Sequence, residues 1–129
     1  MSAIQELRKN DMMCHLLDAL DQGKDIGHYG RLVFTMVAHH FMDEDALVKQ
    51  LAKCKGFDED QARALVIQVK GRGYNPPKRE KIMQFQQQQD FPICPSDDPD
   101  GCNVYKNLNF PEEVYQHIQE YYEQKANAS

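Results

Sequence analysis

The stretch DEDQARALVIQVKGRGYNPP, beginning at Asp58, constrains the fold more than any other part of the chain. Asp58 stands three residues before Gln61, the spacing of a capping box, in which each side chain bonds the other's backbone N–H. Ala62, Leu65, Val66 and Val69 follow at i, i+3, i+4 and i+7, so one helix face is apolar and needs a partner. Two glycines in KGRGY let the backbone turn. Pro76 and Pro77 then suit the first turn of another helix, where a missing N–H costs nothing. An amphipathic helix followed at once by a second helix start buries its apolar stripe against other helices.

The rest of the chain repeats that logic. Ala3 to Gln22 carries Ile4, Leu7, Leu16, Leu17 and Leu20, partly at helical spacing, and GKDIG breaks it. A second helix is predicted from about Tyr29 to Phe41, with Leu32, Val33, Met36 and Val37 inward. Asp43 caps a third, with Ala46, Leu47 and Leu51 inward, ending at Lys55-Gly56. The helix opened by the double proline runs to about Gln89, and QFQQQQ is too short to be a low-complexity domain. Pro111 opens a last helix with Val114, Ile118, Tyr121 and Tyr122 on one side. No repeat and no strand pattern is visible. Residues 1–129 are expected to form a single all-α domain of about six helices, with its core at about residues 14–122. A long irregular Cys/Pro-rich loop, Phe91 to Asn109, lies near the C-terminus.

Composition bounds the chemistry. No apolar run approaches the roughly 20 residues that span a bilayer, and MSAIQELRKND lacks a signal-peptide layout, so a cytoplasmic protein without a membrane partner is expected. In a reducing compartment disulfides are disfavoured, which leaves Cys14, Cys54, Cys94 and Cys102 as metal ligands or free thiols; no CxxC pair occurs. Net charge is −5, against a generic electrostatic nucleic-acid binder. Yet Lys70, Arg72, Lys78, Arg79 and Lys81 face only one acid in their run, Glu80. Acids gather at Asp43 to Asp45 and Asp58 to Asp60, where helix capping explains them, at Asp97 to Asp100 and toward the C-terminus. A G-x-S-x-G elbow, a Walker A loop, a GxGxxG turn and an HExxH helix are all missing, so catalysis is not expected. Neighbouring helical residues face different ways, which makes His39-His40 a structural or surface pair rather than a chelate. In GHYGR, His28 and Arg31 open a helix whose free N–H groups suit a phosphate.

Read in order, Cys14, GHYGRLVF, MDEDALVKQL, GFDEDQARALVIQVKGRGYNPPKREKI and FPICPSDDPDGC resemble the C-terminal domain of the large, noncatalytic subunit of archaeal and eukaryotic DNA primase. The resemblance covers about Cys14 to Leu108. It implies a helical domain that binds DNA or an RNA/DNA primer–template, or the 5′-triphosphate end of the primer, beside a primase or polymerase catalytic protein. The implied contacts are His28, Arg31, Lys70, Arg72 and Tyr74, with aromatic stacking and phosphate pairing as the binding physics. The implied cofactor is a [4Fe–4S] cluster, for which Cys14, Cys94 and Cys102 match three of four ligands. Arg79 stands where the family's second cysteine belongs. The alternatives are Cys54 as the fourth ligand, zinc held by three cysteines and a histidine such as His15, or no metal. A competing reading is a helical protein–protein interaction module, docking through the acidic C-terminal helix with Tyr115, Tyr121 and Tyr122.

Overall fold

Three helix starts are fixed by side chains that accept the first unpaired N–H groups. The computed structural model describes residues 3–95 and 99–119. In it Asp43 Oδ1 accepts from Ala46 N at 2.8 Å, and Asn10 Oδ1 accepts from Met13 N at 3.1 Å. Asp58 and Gln61 exchange both bonds of the capping box, at 2.8 and 3.0 Å. The helices are α1 (Ala3–Leu7), α2 (Asp11–Asp21), α3 (Gly27–Ala38), α4 (Glu44–Leu51), α5 (Glu59–Arg72) and α6 (Arg79–Gln87). A 3-10 turn over Pro99–Cys102 and a helix over residues 112–119, here α7, follow. The fold is all-α, with no strand among the described residues.

The single helix predicted over Ala3 to Gln22 is two, because Asn10 leaves the helix to cap α2. Its side-chain nitrogen also reaches across the chain to Asn103 O and Lys106 O, 2.8 Å each. Helix α5 stops at Gly73, a C-cap with a left-handed φ of +62°, where the glycines of KGRGY allow the backbone to turn.

Helix α3 is the hub. It packs against α2, α4, α5 and α6, and Val33, Phe34, Val37 and Ala38 are fully buried. The interior continues through Leu16, Leu17 and Leu20 of α2, Leu47 and Leu51 of α4, and Val66 of α5. Burying side chains of this size contributes roughly 1.5–3 kcal/mol each.

Past α6 the described backbone holds no further α-helix until residue 112, yet it is tied down. Ile93, Val104, Leu108 and Phe110 enter the core, and Gln86 Oε1 accepts from Cys94 N at 2.7 Å. Cys94 and Cys102 are joined by a disulfide, with Cα atoms 5.0 Å apart. Tyr121, Tyr122, Asp97 and Asp98 lie outside the described residues. Among the described residues no helix is long and apolar enough to cross a membrane.

Candidate nucleic-acid interface

The disulfide overturns the metal expectation. Cys94 and Cys102 spend their sulfurs on each other, and a [4Fe–4S] cluster needs four thiolates. Cys54 is buried beside Asp25 and Arg31, with Sγ 3.7 Å from Asp25 Oδ1 and 3.6 Å from Arg31 Nη1. Cys14 lies 3.5 Å from Arg8 Nη1. His15 stacks on Phe91 and bonds Pro92 O at 2.8 Å, so its ring serves the fold. Among the described residues no three His, Cys, Asp or Glu side chains gather to hold a metal ion. Neither the cluster nor the zinc alternative fits the four cysteines. A reducing compartment disfavours disulfides, and it is that expectation the Cys94–Cys102 bond overturns.

At the N-terminal end of α3 the protein satisfies its own donors. Gln89 Oε1 accepts from Tyr29 N at 2.9 Å and from Gly30 N at 3.4 Å. Asp25 Oδ1 accepts from Gly27 N at 2.8 Å and pairs with Arg31 at 3.2 Å. The Arg31 guanidinium also lies over the Phe57 ring, 4.4 Å from its centroid. Gly27 has φ +81°, and the Gln89 amide fills the space a Cβ would need. Arg31 is therefore built into the junction of α3 with the loop before α5. His28 remains exposed, edge-on to Tyr29.

The fold separates His28 from Arg31. His28, Leu32 and Met36 are spaced by four and follow one stripe of α3, a span of roughly 12 Å. Leu32 and Met36 form one wall of a groove of about 630 Å3; Lys81 and Phe85 of α6 form another, and Tyr74 to Lys78 an end. Tyr105 closes the groove and donates its hydroxyl to Pro76 O. Burial, with Tyr115 nearby, pushes the Tyr105 phenol up to about 12, so it stays a donor. Tyr74 is 36% exposed, and Lys81 Nζ lies 5.2 Å from the Phe85 centroid. Phe85 in turn stacks on Tyr29 at 4.9 Å, which fixes α6 against α3.

Of the residues singled out in the sequence, Tyr74 lines this groove, His28 continues its α3 wall, and Lys70 and Arg72 are exposed at the end of α5 just before Tyr74. Among the described residues Lys70, Arg72 and Lys81 make no ion pair, whereas Arg63 pairs with Glu44 and Asp45 at 2.9 and 3.1 Å. Lys81 stands out in the sequence only as part of the basic run and Phe85 not at all, although their i, i+4 spacing on α6 is the signal that places them on one face. Compared with protein-family models, curated proteins and solved structures, the chain matches none.

Proposed function

We propose that the protein is a noncatalytic nucleic-acid-binding domain that holds a single strand, such as the unpaired strand at a primer–template junction, in the groove between α3 and α6. The observation that carries this reading is the composition of the groove: aromatic rings from Tyr74 and Phe85 beside the cations Lys78 and Lys81. Bases stack on such rings whatever their identity, while lysines follow the phosphates. The resemblance to the primase large-subunit domain supports the same class of ligand. Tyr74, Lys81 and His28 make the contacts in this proposal, with Lys70 and Arg72 drawing the strand in. Arg31 supports α3 from behind through Asp25 and Phe57.

Fluorescence anisotropy with labelled single-stranded DNA and with a primer–template tests it. Tyr74→Ala is expected to weaken binding about tenfold, the worth of one stacked base. Lys81→Glu should weaken it and flatten the dependence of log affinity on log salt concentration. No binding of either nucleic acid at low salt would sink the reading and leave the apolar groove wall to a protein partner.

A further inference from the structure

Beyond Met36 the groove gives way to a second pocket. Tyr74, Asn75 and Pro76 line both, so the two share a partition. The second pocket, about 260 Å3, is otherwise bordered by His39, His40, Gly73, Glu113, Val114 and His117. His39 and His40 close the C-terminal end of α3, where His39 N still bonds Thr35 O and His40 N bonds Val37 O, and both side chains border this pocket. Their rings lie 3.9 Å apart, centroid to centroid, and His40 meets Phe110 edge-on at 5.6 Å. Nε2 of each ring is buried, and among the described residues no protein group bonds either. Buried polar atoms left unpaired cost roughly 1–3 kcal/mol each, so this is a place where a polar group from outside the chain gains by binding.

We infer that this pocket takes one nucleobase of the strand lying in the larger groove, and that it prefers a base with an exocyclic amine over thymine or uracil. The inference rests on the strand-binding reading and deepens it. A base stacked on Tyr74 puts its neighbour at the mouth of the second pocket, since Tyr74 belongs to both. The Glu113 carboxylate only accepts hydrogen bonds, so it pairs with an amine such as cytosine N4 and meets the carbonyl oxygen of thymine as a like partial charge. Each uncharged imidazole supplies one donor and one acceptor, enough to complete the edge of a base once a ring turns about its Cβ–Cγ bond. Burial holds both rings uncharged near neutral pH, and Lys70, close enough to His39 to oppose its protonation, stands within reach of the same nucleotide's phosphate.

The test compares anisotropy of the full chain with labelled oligo(dC) and oligo(dT) of equal length, which differ at the amine but not in ring size. Oligo(dC) is expected to bind about tenfold more tightly. Glu113→Leu, at an exposed position that leaves folding intact, should bring the two affinities together by weakening oligo(dC) alone. Glu113→Gln should narrow the gap in part, since its amide keeps an acceptor. Equal affinities in the unaltered protein, with Tyr74→Ala still weakening both, would overturn the base pocket and leave strand binding standing. Discrimination that survives Glu113→Leu would overturn it as well. Absence of binding to either oligomer removes the pocket together with the reading beneath it.

Discussion

Gln89 closes the start of α3 with both ends of its amide, since Nε2 donates to Ile26 O and to Phe91 O at 2.9 Å each while Oε1 takes Tyr29 N and Gly30 N. Truncation strands backbone groups on two segments at once. Gln89→Ala is expected to lower the unfolding free energy by roughly 2–4 kcal/mol, read as a shifted urea midpoint. Gln87→Ala, at an exposed neighbour, should stay within about 0.5 kcal/mol. Nothing local in QFQQQQ distinguishes these glutamines, because what makes Gln89 structural is α3, sixty residues upstream. The Asp58–Gln61 box was legible for the opposite reason: both partners sit within one helical turn and need no tertiary contact. His28 and Arg31 fall between these cases. Their helix start was legible, but Asp25, Phe57 and Gln89, which engage Arg31 and the helix amides, come from three other segments.

Among the elements, the irregular segment after α6 is held by three devices of different reach: the Cys94–Cys102 disulfide, the Asn10 side chain and the buried residues around Phe110. The disulfide closes a short loop, so its removal restores only modest chain entropy. By the loop-closure relation, Cys94→Ser with Cys102→Ser costs about 2.5 kcal/mol. Far-UV circular dichroism should barely change, because α2 to α6 pack without the bridge, while the thermal midpoint falls. Full loss of helical signal on reduction would show that the loop supports the bundle rather than the reverse. The groove illustrates what element-level reading misses. Leu32 and Met36 on α3, and Lys81 and Phe85 on α6, are each visible as i, i+4 pairs. That these two stripes face each other depends on α6 lying across α3, and no local pattern specifies that adjacency. The break at Asn10 had a local signal, Asn followed by Asp, which the apolar spacing on either side outweighed.

Across the whole molecule, charge is segregated rather than merely acidic. Asp18 and Asp21 of α2 and Glu44 and Asp45 of α4 are tied up by Arg8, Lys53 and Arg63, while Lys81 lines the groove and Lys70 and Arg72 stand exposed at the end of α5, all three without ion pairs among the described residues. A net charge of −5 therefore coexists with a local cluster of cations near the groove. The same region sets an acid limit on the fold. Burial holds His39 down to about 4, with His40 and Lys70 adding to the effect. Burial lowers His40 too, against the pull of Glu113. In the unfolded chain both rings titrate near 6.5, so between that value and the folded value the unfolded state binds more protons, and stability falls as pH falls. The contribution is complete above neutrality and is lost from about pH 6.5 downward until the folded rings themselves protonate. With allowance for solvent screening of a half-buried ring, the loss from His39 by pH 5.5 is roughly 1 kcal/mol, and His40 acts in the same direction. Urea midpoints compared at pH 7.5 and 5.5 measure this before most carboxylates begin to titrate. His39→Gln with His40→Gln should make the two midpoints nearly coincide, and a variant as acid-sensitive as the unaltered protein would place the titrating groups elsewhere.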